Sequence, residues 1–283
     1  MIYIIEKMNN KIKFFNLIAP YKFFSFIIFF SIIISSLFSV ISKSSLILSI
    51  ESLENLLFFI KSFFPIEFNW DLFVEIGNNI LITVSIATIS LFLSLILAIP
   101  ISIVGCQSIS KSLLFRGKIS NKGSISRFLL RTNLVFLRSL PELILAIIFI
   151  RIFGLGVTAG IFAIVFTYVG FISKVFIEII DSSNTHPYKN LIYNGASKFK
   201  AFLYGILPQC SNDLISYILF RWECALRTSI ILGVVGAGGI GQQLDFAIKM
   251  MALKEVSTII ICLIFLVYIS DIFSYWIRRV FCK

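Results

Sequence analysis

Residues 194–208 read NGASKFKAFLYGILP, a polar, interrupted stretch between long apolar runs. Gly195 lacks a side chain and suits close backbone approach. Lys198 to Tyr204 can form about two helical turns, which put Phe199, Phe202 and Leu203 at i, i+3 and i+4 on one face. Gly205 and Pro208 end the helix, because proline has no amide hydrogen and clashes with the preceding turn. The spacing therefore predicts a short loop helix and a following apolar helix as separate pieces joined at an angle. Such a loop is built to be gripped by a partner; an ordinary cytoplasmic helical hairpin has the same outline.

The flanking runs define the class. The 283 residues are 58% hydrophobic and only 14% charged, against about 25% charged in soluble domains. A helix crosses a ~30 Å hydrocarbon core with ~20 residues, and residues 23–41, 79–104, 128–153, 157–180 and 257–277 qualify. A sixth run, 213–235, is apolar but carries charges. The second and third spans have room to lengthen, or to bend at Pro100 and Pro141. The expected fold is all-α, with about six transmembrane helices. It divides into a basic N-terminal segment (1–22), a first helix with its outer loop (23–78), and a core (79–283) whose inner loop lies near 182–208. The run at 23–41 lacks a clear small-x-small cleavage site and reads as a retained anchor.

Orientation follows from Lys and Arg, which favour short cytoplasmic loops. With the first span starting inside, sixteen fall on inner segments: four in 1–22, six from Lys111 to Arg131, then Lys189, Lys198, Lys200, Arg278, Arg279 and Lys283. Five fall outside: Lys43, Lys61, Arg151, Lys249 and Lys254. Both termini and the 194–208 loop are thus expected in the cytoplasm. The net charge of +11 then reflects this bias and contact with anionic lipid rather than nucleic acid. The outer loop, with Glu51, Glu54, Glu67, Asp71 and Glu75 among apolar residues, suggests a short helix on the outer membrane surface.

Several chemistries are missing. His186 is the sole histidine, which removes histidine metal clusters and makes a metabolic enzyme a poor fit. The five cysteines are scattered and suggest neither a disulfide framework nor a zinc site. Gly117-Lys118-Ile119-Ser120 lacks the upstream glycine and adjacent hydroxyl of a phosphate-binding loop, so any ATP must be held by another chain. Gly236, Gly238 and Gly241 have dinucleotide-fingerprint spacing, but they follow a membrane helix rather than a strand. Together with Gly239 they read as a break that lets helices pack closely or lines a cavity.

Arg221, Glu223 and Arg227 lie inside the sixth run. Each charge costs about 2.5–3.5 kcal/mol at a helix centre, so three cost up to ~7–10 kcal/mol. The eleven Leu, Ile, Val and Phe residues of 213–235 return only ~3–7 kcal/mol. This helix should line a bundle interior or a watery path. Glu223 and Arg227 can neutralise each other at i, i+4, and Arg138 and Glu142 repeat that spacing around Pro141. Either these are two local pairs that fix packing, or an arginine contacts a crossing anion; Arg221, with no i+4 partner, is the natural choice.

The 194–208 loop resembles the EAA motif of ABC importer permeases, the cytoplasmic coupling loop that docks in a cleft of the ATPase subunit. Gly195 matches its central glycine, and Leu207-Pro208 its closing pair. LRSLPELILAIIFIRIFGLGVTAGIFAI (137–164), GASKFKAFLYGILPQ (195–209) and FRWECALRTSIILGVVGAGGIG (220–241) are similar to the phosphonate-type branch, and the likeness extends over 79–277. The chain departs at Lys189, where the motif starts with an acid, and at Asn190 and Leu191, where it has alanines. Gly205 takes the isoleucine position, as is usual in this branch, and His186 and Pro187 can set the start of the loop instead of the acid.

The resemblance implies a type I importer permease in the bacterial inner membrane. Gly195, Ala196, Ser197, Phe199, Phe202, Gly205, Leu207 and Pro208 would contact the ATPase. Arg138, Glu142, Arg221, Glu223, Arg227, Gly236, Gly238, Gly239 and Gly241 would border the path. It further implies a second copy of the chain, ABC ATPase subunits holding ATP and Mg, and an extracytoplasmic substrate-binding protein, with no cofactor in the chain itself. The cargo implied is phosphonate or a related oxyanion such as phosphite or phosphate. The same architecture could import another solute such as an amino acid, and a non-transporting scaffold or a membrane enzyme are the readings from other classes.

Overall fold

A computed structural model describes residues 24–39, 57, 61, 69–107 and 121–281. The chain divides into two units, Met1–Ser62 and Phe63–Lys283. The first contains α1 (Phe24–Ser39), an apolar helix shorter than the usual span. The basic segment 1–22 lies outside the described residues, as does nearly all of the expected surface helix.

The second unit opens with α2 (Trp70–Gly105), started by Asn69, whose side chain accepts from the Asp71 amide. Its 36 residues run well past the expected 79–104, and Pro100 is accommodated inside the helix rather than ending it. α3 (Asn121–Ser139) and α4 (Glu142–Phe153) follow, bent by 84° at their junction. The third span is therefore no straight rod: Pro141 takes an extended conformation and starts a new helix. α5 (Val157–Ser182) is the most enclosed of the three long apolar helices.

A short helix α6 (His186–Tyr193) leads into α7 (Lys198–Ala201). α7 passes through a widened π-turn, Phe202–Ile206, into α8 (Leu207–Leu232). The predicted break at Pro208 does not occur. In the widened turn the Leu207 amide reaches back to the Phe202 carbonyl, and Pro208 falls in the first turn of α8, where a missing amide hydrogen costs little. A second wide turn, Gly233–Ala237, precedes α9 (Ile240–Lys249), set at 52° to the preceding helix, and α10 (Leu253–Phe281) completes the unit.

α2, α5 and most of α10 are each long and apolar enough to cross a membrane; counting each bent pair as one span gives up to five. Among the described residues there is no strand. The packing has the polarity of a membrane bundle. Leu81, Phe92 and Phe265 face outward, while Thr83, Ser90, Ser94 and Ser102 are buried. Ser90 and Ser102 donate to carbonyls of their own helix, so small side chains let α2 lie against α5 with every hydroxyl satisfied. The main core joins Ile86, Tyr168, Ile172, Ile177, Ile206 and Leu226, and a smaller one joins Ile76, Ile240 and Ile259.

Candidate functional site

The 194–208 loop stands on two glycines with different tasks. Gly195 has φ +87° and nothing of this chain near the place a Cβ would occupy. Its amide donates to the Ile192 carbonyl (3.0 Å) and that of Ala196 to Leu191 (3.0 Å), the paired bonds of a Schellman ending for α6. Gly195 is thus needed for its left-handed backbone, and the expected close approach belongs to Gly205. A Cβ on Gly205 would sit 2.9 Å from Tyr188 Cα and 3.0 Å from its nitrogen. Tyr188 is buried at this crossing, and burial raises its phenol above the ordinary value.

Between the glycines, the Ser197 hydroxyl accepts from the Lys200 amide (3.4 Å) and starts α7. The single apolar face expected from Phe199 and Phe202 is split. Phe202 is 5% exposed, packed with Ala201 and Ile206, whereas Phe199 is 66% exposed. Tyr193 and Tyr204 project as well. The loop therefore offers an aromatic outer surface on a firmly attached base. Leu207 is partly buried and Pro208 exposed.

Next to the loop, α2, α3 and α5 are clasped. Arg131 Nη2 donates to Asp181 Oδ2 (2.5 Å) and to the Gly105 carbonyl (3.1 Å), and the Gln107 amide donates to Asp181 Oδ1 (2.9 Å). Cys106 is buried beside it; burial, reinforced by Asp181, pushes its thiol up to about 12.

The charges of α8 do not pair as spacing suggests. Glu223 bonds Arg278, and Arg227 Nη2 donates to Asp271 Oδ1 at 3.1 Å and Oδ2 at 3.2 Å. Two antiparallel rungs thus link α8 to α10, where Asp271 and Arg278 share a face. Cross-helix partners displace the local i, i+4 pair because α10 brings an opposite charge to each. Arg138 and Glu142 fail to pair for another reason: the bend at Pro141 takes them off a common face. Glu142 Oε2 accepts from the Thr228 hydroxyl at 3.0 Å. Arg221 donates through Nε to the Tyr217 hydroxyl (2.8 Å), and its guanidinium carbon lies 4.2 Å from the Phe171 ring centre and 5.5 Å from that of Tyr168. Helical spacing offers Arg221 no i+4 partner; the fold surrounds it with rings.

The glycine-rich segment is a tight reversal. Gly236, Gly238 and Gly239 all have positive φ. A Cβ on Gly241 would fall 2.0 Å from the Ile230 carbonyl oxygen, which is the close packing expected of the run. The Gly156 amide donates to the Gly236 carbonyl (3.0 Å), and that of Ile240 to Thr83 Oγ1 (3.0 Å).

Residues 112–282 match the model of the binding-protein-dependent transport system inner membrane component. The chain belongs to this family. It is similar to the phosphite transport system permease protein PtxC of Stutzerimonas stutzeri, 35% identical over 151 residues, which is 53% of this chain and 55% of that one. It is also similar to the phosphate-import permease protein PhnE of Mycolicibacterium smegmatis, 29% identical over 196 residues, 69% of this chain and 35% of that one. The chain spans between about half and two-thirds of the length of the phosphite-system relatives it matches. An inward-facing structure of the MetNI methionine ABC transporter shares the fold, with TM-score 0.64 and 18% identity over 75% of this chain and 99% of that one.

As an inner membrane component of this family, the chain is a multi-pass membrane protein. Sequence reasoning missed the groups that partner its intramembrane charges: Asp271, Thr228, Tyr217 and the Phe171 ring. One signal was available for Asp271, since an acid seven residues before Arg278 in an apolar helix marks a charged face. The aromatic seat of Arg221 combines α5 and α8 and had no such signal.

Proposed function

We propose that this chain is the permease subunit of an ABC importer that moves phosphonate or a related phosphorus oxyanion, such as phosphite or phosphate, into the cell. A separate ATPase chain binds ATP and Mg and does the chemistry; this chain is no enzyme. The observation that carries the reading is the 194–208 loop, whose exposed Phe199, Tyr193 and Tyr204 stand on an anchored, buried base. A docking element needs such a surface to pass force inward without melting. The relatives' names support the cargo, and the shared fold supports the architecture.

In this mechanism two copies of the chain form the pathway, and each offers one loop to one ATPase. An extracytoplasmic binding protein delivers the solute. Both termini and the loop face the cytoplasm, with basic residues against anionic lipid and no nucleic-acid partner. ATP binding draws the ATPases together, the loops follow, and the helices rock to open the path outward; hydrolysis resets them. The path runs along α8 past the α3–α4 bend and the Gly236–Gly241 reversal.

The test is ATP-dependent uptake of labelled methylphosphonate by vesicles holding this chain with its ATPase and binding protein. Phosphite, phosphate and methionine serve as competitors. Competition by phosphorus oxyanions alone, and loss of uptake in Gly195→Arg, are the expected results. Competition by methionine alone would replace the cargo, and normal coupled uptake in Gly195→Arg would remove the loop from the docking role.

A further inference from the structure

Arg138 ends α3 one residue before its last, immediately ahead of the 84° bend. Its depth is set by Gly170 of α5. A Cβ on Gly170 would lie 3.0 Å from the Arg138 backbone nitrogen and 2.9 Å from Leu137 Cβ, so the last turn of α3 rests directly on that helix. Gly170 is near the middle of α5, roughly 20 Å from either end at ~1.5 Å per residue. Arg138 is therefore held at mid-bundle.

A cavity of about 320 Å³ opens there, lined by Arg138, Pro141, Glu142, Phe171 and Thr228 among others. At ~30 Å³ per water that is room for roughly ten waters, and a small oxyanion fits easily. The other arginines around it are engaged: Arg131 with Asp181, Arg227 with Asp271, Arg278 with Glu223, and Arg221 with Tyr217 and the rings. Arg138 is exposed in the single chain and makes no hydrogen bond or ion pair among the described residues. The carboxylate closest in sequence, Glu142, is held toward α8 by Thr228. A broken helix carrying a charge is not tolerated against lipid, so this face borders water or protein.

We propose that Arg138 is the fixed cation that the transported phosphorus oxyanion contacts, in the cavity at the α3–α4 bend; this rests on the importer reading. A guanidinium suits the task because its planar fork meets two oxygens of a phosphonate at once, which a lysine ammonium does not. Phe171 and Pro141 give the cavity an apolar wall, so the charge is not diluted on that side.

The experiment uses the complete complex in vesicles, with methylphosphonate as probe. Arg138→Gln should lower uptake at limiting substrate at least tenfold while ATPase assembly and substrate-free ATP hydrolysis stay at the parental level. Arg138→Lys, which keeps charge but loses the fork, should raise KM several-fold with kcat nearly unchanged. Arg138→Cys should be inactive and regain activity several-fold after aminoethyl methanethiosulfonate, but not after the sulfonatoethyl reagent of similar size; the parent complex takes both reagents in parallel. Uptake within twofold of parent in Arg138→Gln, an unchanged KM in Arg138→Lys, or equal recovery with both reagents would overturn the assignment and leave the importer reading standing. If the unaltered complex imports methionine and no phosphorus oxyanion, the phosphorus cargo and the Arg138 assignment fall together while the importer architecture stands.

Discussion

Two Leu-Pro pairs in this chain have opposite outcomes. At Leu140-Pro141 the helix stops and restarts at 84°; at Leu207-Pro208 it runs on through a π-turn. Proline imposes the same demand in both places, a carbonyl moved aside and an amide bond forgone. The difference lies in the turn before it. Ahead of Pro208, Gly205 allows the chain to press onto the Tyr188 backbone, and the turn widens while staying packed. Ahead of Pro141, the last turn of α3 is pinned on Gly170 and has no comparable freedom. Proline sets a local constraint, and the neighbouring helix decides how it is met.

The largest effect is expected from Pro141→Ala. With an amide restored, α3 and α4 can join into a straighter helix, and spin labels at positions 132 and 150 should separate by roughly 8 Å more at ~1.5 Å per residue. Uptake should fall at least tenfold as the cavity collapses. An unchanged label distance would mean that tertiary packing alone holds the bend.

Gly205→Val comes next. Its side chain meets backbone rather than a flexible tip, so overpacking should cost about 1–3 kcal/mol and push α7 off α6. Loss of ATPase co-purification is the readout, and normal co-purification would show that the crossing can yield. Gly195→Ala faces strain but no clash, and should cost about 1–2 kcal/mol, seen as a thermal midpoint a few degrees lower with assembly retained. The smallest effect belongs to Pro208→Ala, within about 0.5 kcal/mol, since the helix already passes through that position. A large loss there would mean that the ring itself, exposed on the loop, touches the partner.

Much of this was legible in the sequence. Apolar runs marked the helices, and the glycines of 236–241 marked a break with close packing, because length and lack of side chains are properties of single segments. Legibility failed where an outcome depended on a second segment. Spacing offered Glu223 a partner at Arg227, yet α10 brings Arg278, which is 55 residues away. The functions of Gly195 and Gly205 were exchanged for the same reason: one needs only its own dihedral, the other needs to know what crosses above it. Gly170, which places Arg138, carries no signal apart from the helix it touches.

The clasp of Arg131, Asp181 and the C-terminal end of α2 would give the proposed coupling loop something to push against. Asp181 precedes α6 by a few residues, and its carboxylate ties the C-terminal ends of α2 and α5 to the middle of α3. On the importer reading, a displacement delivered at the loop would reach all three at once, as a load on a single spoke rather than on separate rods. On that reading, the compliance needed for motion lies further out: the bend rests on the middle of α5 and the glycine-rich segment packs near its opposite end, at Gly160, so stiffness and yield would be graded along one helix.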